Sequence, residues 1–226
     1  MAQVPERKPP GRPKGAQREN AARRRRQLIE AAIDSIVEHG MSATTLATVA
    51  KAAELSQGVA VFYFKSKENL LVETLRHHYS QYQTLWQGAL AAASDDPVER
   101  LMALVFTEID PRICNRRNLA LWSSFWGEAT ARPRFAELCD SFDRRRHKAM
   151  MEVCAQAAPL MVGGAWNPDA VADTLDTLTD GMWTRMHISP DAMNNQAAGQ
   201  ILARLLTTIF PGRAAQIMAR VERISG

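Results

Sequence analysis

Between residues 44 and 71 the sequence sets short helical stretches against abrupt stops, and that rhythm leaves few folds open. Thr44 or Thr45 offers an N-cap before Leu46-Ala47-Thr48-Val49-Ala50-Lys51-Ala52-Ala53, two turns of alanine-rich helix. Glu54-Leu55-Ser56 makes a short turn, and Ser56 is placed to cap a second short helix from Gln57 to about Tyr63. Ser66 then caps a longer helix, Lys67 to about Ala93, with Glu68 in the first turn where the helix dipole favours an acid. Upstream, Ile29, Ile33, Ile36 and Val37, beside Leu28 and Ala32, repeat at helical spacing until Gly40 supplies a stop. Two short helices joined by a tight turn and braced by a longer helix on each side form a helix-turn-helix. Ala50 and Ala53 let the short helices cross closely, while Leu55, Ala60 and Phe64 fill the small core. An ordinary helical hairpin is the bland alternative.

Charge separates the two readings. Residues 1–26 hold nine Lys/Arg against Glu6 and Glu19, whereas the remaining 200 residues are net acidic although the chain as a whole is +4. A concentrated cationic end suits a polyanion, because each neutralised phosphate releases condensed counterions. Pro5, Pro9, Pro10, Pro13, Gly11 and Gly15 make residues 1–22 a flexible, non-helical arm. Within it, Gly11-Arg12-Pro13-Lys14-Gly15 is suited to a narrow minor groove, placing Arg12 and Lys14 on DNA.

Past Ala93 the helical pattern continues. Expected segments are Pro97 to about Ile109, Asn118–Thr130, Pro133 to about Ala157, Pro168 to about Met186 and Ala192 to about Phe210, with no alternation that marks a strand. Val171, Leu175, Leu178 and Met182, with Ile201, Leu202, Leu205, Leu206 and Ile209, form two stripes that fit a four-helix bundle between two subunits, the alternative being that both face only their own domain. The fold class is therefore all-α, divided as a basic arm (1–22), a DNA-binding domain (23–84, with the helix-turn-helix at about 45–64) and a larger helical domain (85–226), which the family resemblance given below implies to be the ligand-binding and dimerisation domain. No run approaches a membrane span and no apolar leader opens the chain, so a cytoplasmic protein is expected. Cys114, Cys139 and Cys154 are too few for a disulfide framework or zinc site. The five histidines lack metal-ligand spacing, and no cofactor, metal or enzymatic activity is expected; Arg144-Arg145-Arg146 is read as a solvated face.

The run from Gly40 to Ala52, then Leu55-Ser56-Gln57-Gly58 and Phe62-Tyr63-Phe64-Lys65-Ser66-Lys67-Glu68-Asn69-Leu70-Leu71, resembles the TetR family of regulators. The resemblance implies a helical homodimer on a pseudo-palindromic double-stranded DNA operator, released when a small effector spreads the two DNA heads. It implies a recognition helix from Gln57 to Tyr63, with Gln57 on an adenine edge and Gly58 allowing close approach. Thr44, Thr45, Tyr63, Lys65 and Lys67 match positions near phosphates. Val59, Val61 and Phe62 replace the polar residues common there, so base reading leans on apolar contact with thymine methyls.

The second domain carries an aromatic cluster. Trp122 and Trp126 are four apart with Phe125 between them, and Trp183 follows Asp180-Gly181-Met182 on another helix. Such residues serve either a packed core or a cage for a quaternary ammonium, which gains on the order of 2 kcal/mol per desolvated indole contact. Glu128, Asp176 or Asp180 would supply the negative charge. Asp110-Pro111, Leu121-Trp122-Ser123-Ser124-Phe125-Trp126-Gly127-Glu128-Ala129 and Asp180-Gly181-Met182-Trp183-Thr184-Arg185 resemble the BetI-type group of these regulators. That resemblance implies repression of glycine-betaine synthesis genes, relieved by choline. A regulator answering to a hydrophobic, drug-like ligand and an effector-independent DNA binder are the readings left beside it.

Overall fold

The structure, a computed structural model, describes residues 14–162 and 166–225. Arg12, and the side chain of Lys14, lie outside the described residues. All regular structure among the described residues is helical, in the order α1 Lys14–Ala43, α2 Leu46–Ala52, α3 Gln57–Phe64, α4 Lys67–Ala92, α5 Pro97–Thr107, α6 Arg116–Ala129, α7 Pro133–Ala157, α8 Pro168–Ile188, α9 Asn195–Ile209 and α10 Ala214–Ser225. The chain forms two compact units that divide after Thr74, inside α4 and ahead of the boundary at 84.

In the first unit α2 and α3 pack on each other and on α1. Leu28, Ile29, Ile33 and Ile36 of α1 meet Val49, Ala50, Ala60 and Phe64 in a core closed by Leu70 and Leu71. Gly40 sits at φ +80°, which breaks the helical path of α1 at the expected place. Gln27 Nε2 donates to the Ala53 carbonyl at 2.7 Å and ties α1 to the end of α2. Arg25 pairs with Glu73 and lies 5.7 Å from the Phe64 ring centre, shielding the edge of the core.

The second unit is built around α5, the most deeply buried helix, with Leu101, Leu104 and Val105 inaccessible to water. α7 packs against α5, α6 and α8, while α9 packs against α5 and α10. Each start is fixed locally. Asp96, Asn115, Asn167 and Asn194 accept from backbone N–H groups in the first turns of α5, α6, α8 and α9, and Pro97, Pro133 and Pro168 occupy first helical positions. Gly199 permits the closest approach of α9, since a Cβ there would stand 3.1 Å from Ile109 Cδ1.

Four expectations change. Residues 14–22 are helical, because no proline follows Pro13 in this stretch and Ala16-Gln17-Arg18-Glu19-Asn20-Ala21-Ala22 extends α1 backwards; the rest of the expected arm, residues 1–13, lies outside the described residues. α10, amphipathic and capped by no conspicuous signal, was not expected at all. Most of the two stripes face inward: Val171, Leu175, Met182, Leu202, Leu206 and Ile209 are buried within their own unit, leaving Leu178, Ile201 and Leu205 half-exposed. Arg146 is buried rather than solvated, although Arg144 and Arg145 are exposed.

Candidate DNA interface and ligand pocket

The surface of α3 is unusual in what it leaves in water. Val61 is 41 % and Phe62 68 % exposed, and Gln57 and Gly58 are exposed beside them, while Val59 and Tyr63 are half-buried. Leaving a phenyl ring in water runs against the hydrophobic effect, and a cluster so placed marks a surface made for contact. Lys65, at φ +65° after the end of α3, lies 5.2 Å from the Phe62 ring centre, so its charge stays at this edge.

The start of α2 is held by Thr45, whose hydroxyl accepts from Thr48 N at 3.1 Å while Thr45 N donates to Thr48 Oγ1 at 2.9 Å. Thr48 was missed because the reciprocal capping pattern normally shows Glu or Gln at its place. One expected contact fails. Thr44 is fully buried, bonded to Ser35 Oγ at 2.9 Å and donating to the Gly40 carbonyl at 3.0 Å, and so cannot reach a phosphate. Lys67 Nζ donates to the Ser42 carbonyl at 2.9 Å on the surface, a bond that uses one of its three N–H groups. Ser56 stands at the N-cap of α3 without a side-chain hydrogen bond, whereas Ser66 accepts from Asn69 N at 3.1 Å.

The second unit holds a cavity of about 480 Å³, within the range of small-ligand sites. Trp122 and Trp126 from α6 and Trp183 from α8 line it, as the sequence leads one to expect. Ring centres are 5.9 Å apart for Trp122–Trp126, 6.2 Å for Trp126–Trp183 and 5.8 Å for Trp122–Trp183, with interplanar angles of 20°, 24° and 35°. Those spacings are direct aromatic contact. The indoles therefore form a continuous wall and admit nothing between them, and a cation lying on the wall comes within about 6 Å of more than one ring. Trp183 is fixed by its Nε1–H donating to the Glu108 carbonyl at 2.7 Å. Trp122 meets Tyr79 edge-on at 4.4 Å, and Tyr82 stands edge-on to Trp183 at 5.8 Å.

Asp180 lines the cavity, but Phe125 and Glu128 do not. Phe125 is buried edge-on to Phe135 at 5.2 Å because its place on α6 points at α7, and Glu128 is held by Arg132 at 2.8 Å. Asp176 from α8, the third acid considered, also lines the cavity, while Tyr79 and Tyr82 from α4, Glu108 just past the end of α5, and Asp143, Arg146 and His147 from α7 join the site and were missed. The tyrosine pair was legible as an aromatic i, i+3 repeat on α4. Glu108, alone at the end of an apolar run, gave no such signal.

The electrostatics are internally paired at one end. Buried Arg146 contacts Glu108 Oε1 at 2.5 Å and also binds Asp176, while Tyr82 donates its hydroxyl to Glu108. Burial pulls the Arg146 pKa down, yet Glu108, Tyr82 and Asp176 more than offset it and the guanidinium stays charged. Burial also pushes Glu108 above the usual carboxylate range. His147 Nδ1 lies 2.7 Å from Asp176 Oδ2, and Arg144 holds Asp140 at 2.6 Å. Asp143 and Asp180 have no ion pair among the described residues. Both side chains are exposed at the cavity lining, and desolvation on the protein side, opposed by Arg146, raises both, Asp143 to about 7. His78, packed 4.4 Å from Trp122 behind the wall, is kept neutral by burial, its pKa lowered to about 3, and its Nε2 makes no hydrogen bond among the described residues.

Known proteins share both halves. Residues 28–74 match the family model for bacterial regulatory proteins of the tetR family, and residues 97–211 match that for the BetI-type transcriptional repressor C-terminal domain. The HTH-type transcriptional regulator BetI of Burkholderia mallei is 33% identical over 77% of this chain and 87% of its own, and the BetI of Burkholderia cenocepacia is equally similar over 88% of its length. Among solved structures, a transcriptional regulator from Pseudomonas aeruginosa PAO1 superposes with a TM-score of 0.74 at 21% identity, covering 91% of this chain and 96% of its own. One from Saccharomonospora viridis, in complex with choline, gives 0.73 at 21% identity over 82% of this chain and 96% of its own. No described helix is long and apolar enough to cross a membrane. With a helix-turn-helix over α2 and α3 and a BetI-like helical domain behind it, the chain belongs to the TetR family and is a DNA-binding regulator of transcription rather than an enzyme.

Proposed function

We propose that the protein is a cytoplasmic repressor that holds a pseudo-palindromic operator as a homodimer and is released by a small quaternary-ammonium ligand of the choline class. The observation that carries the effector is the indole wall of Trp122, Trp126 and Trp183 beside Asp143 and Asp180, which form no ion pair among the described residues. A permanent cation gains from both, while a neutral ligand of the same shape gains only apolar contact. The choline bound in the Saccharomonospora viridis regulator supports the same reading.

On DNA, Gln57 pairs with an adenine edge, Gly58 allows the backbone to approach, and Val59, Val61 and Phe62 provide the apolar surface for thymine methyl groups. Thr45, Tyr63 and Lys65 face phosphates, and Arg12 and Lys14 follow the flanking groove. The dimer forms through the open face of α8 and α9, where Thr174, Thr177, Leu178, Gly181 and Ile201 line an apolar groove of about 570 Å³.

Thermal unfolding with choline and with its uncharged carbon isostere, 3,3-dimethylbutan-1-ol, tests the effector class. Binding to the folded state raises the melting temperature, and choline is expected to bind about thirtyfold more tightly, the equivalent of roughly 2 kcal/mol of cation–π attraction. Equal stabilisation by both would make the pocket a merely apolar one.

A further inference from the structure

The five acidic side chains around the cavity are not equally available. Glu108 and Asp176 are bound by Arg146, with His147 on the far oxygen of Asp176, and Asp140 is bound by Arg144. Asp143 of α7 and Asp180 of α8 remain, and the one contact on the Asp143 carboxylate from α4 is the Tyr79 hydroxyl, donating at a long 3.3 Å. From its own helix, Asp143 also feels Arg146 and, through Tyr79, the buried Cys139 thiol; from α5 it feels Glu108, which Tyr82 bonds. Arg146 is already matched by two carboxylates, so an empty cavity with both Asp143 and Asp180 ionised holds like charges that this shared guanidinium offsets only in part.

We propose that Asp143, steered by Tyr79, is the counter-ion of the ligand's cationic head, and that it releases a proton to solvent as the cation enters. The inference rests on the quaternary-ammonium reading of the cavity. The exchange balances: a neutral carboxyl and a cation become a carboxylate–cation pair, and the proton passes to buffer with no bond broken in the ligand. Desolvation, with repulsion from Asp180 and Glu108 added, holds the Asp143 proton up to about pH 7, so the exchange falls in the range where cells live. The sign follows directly. Protonated Asp143 cannot pair with the cation, so affinity rises with pH, by about tenfold from pH 6 to pH 8, and levels off above.

Calorimetric titration of the whole protein with choline chloride, at pH 6, 7 and 8 in two buffers of different ionisation heat, reads the exchange. Choline has no group that titrates in this range, so any proton released belongs to the protein. The expected result is release of about half a proton per choline at pH 7, with the tenfold change in Kd. Asp143→Asn is expected to bind more weakly at pH 8 and to lose the pH dependence, whereas His147→Asn, which removes the imidazole facing Asp176, keeps it. Choline bound without proton release, or a dependence that survives in Asp143→Asn and vanishes in His147→Asn, would overturn the inference and leave the choline reading standing. No binding at any pH would overturn both. Should Asp143→Asn fail to fold, the wild-type proton count and the His147→Asn slope still decide.

Discussion

Two adjacent threonines show how finely a single position divides structure from function. Thr44 and Thr45 are equal candidates for an N-cap on sequence, but only Thr45 caps, while Thr44 turns inward to Ser35. Replacing Thr44 by Val leaves the Ser35 hydroxyl without a partner and is expected to cost about 1–2 kcal/mol in denaturant unfolding. The double change Ser35→Ala/Thr44→Val recovers much of that, and operator affinity stays level in both; a loss of affinity in the folded double variant would return Thr44 to the interface. Trp126, the most exposed of the three indoles, reports on the ligand with least damage to the core. Trp126→Ala is expected to weaken choline binding about tenfold while Trp126→Phe retains most of it. Asp143 also leaves a mark on stability. The folded carboxyl keeps its proton to about pH 7, whereas the unfolded one loses it near about pH 4. The folded state thus holds more protons between those values, and stability of the ligand-free protein declines as pH rises through them. Melts at pH 5 and 7.5 should show a smaller decline in Asp143→Asn than in the wild type.

At the scale of elements, what was legible depended on whether local chemistry or tertiary contact decided the outcome. α2, α3, α5, α7 and α8 begin where Thr45, Ser56, Asp96, Pro133 and Pro168 announce them, since caps and prolines act within a turn. α10 lacks such marks, and α1 overruns the proline-rich start because nothing after Pro13 forbids a helix. The pocket was half visible for the same reason. Its aromatic wall comes from two helices with obvious spacing, but Glu108, Asp143, Arg146 and Asp176 meet only after α5, α7 and α8 pack, and no single helix shows that they will. The amphipathic stripes on α8 and α9 had the right period but not the right partner, most of each being needed by its own core. The basic start of the chain gives a test at this scale. Deleting residues 1–13 removes Arg7, Lys8 and Arg12 and is expected to lower the slope of log affinity against log salt by up to about 3. An unchanged slope would take that segment off the DNA.

For the whole molecule, operator recognition by a TetR-type regulator requires two heads, and the half-exposed residues of α8 and α9 are where a second copy would sit. Ile201→Glu is expected to shift the protein to a monomer in sedimentation and to abolish operator binding, while choline still raises its melting temperature. The indole wall and the carboxylates of the cavity, in contrast, all come from one chain, so ligand binding is expected to survive the loss of subunit pairing. The central claim is that a permanent positive charge on the ligand is what empties the operator. Fluorescence anisotropy of a labelled operator, found by selection from random DNA, measures it at fixed salt and pH 8 with choline and 3,3-dimethylbutan-1-ol added in parallel. Release by choline at concentrations at which the neutral isostere leaves the complex intact is the expected result; release by both alike, or by neither, would contradict it.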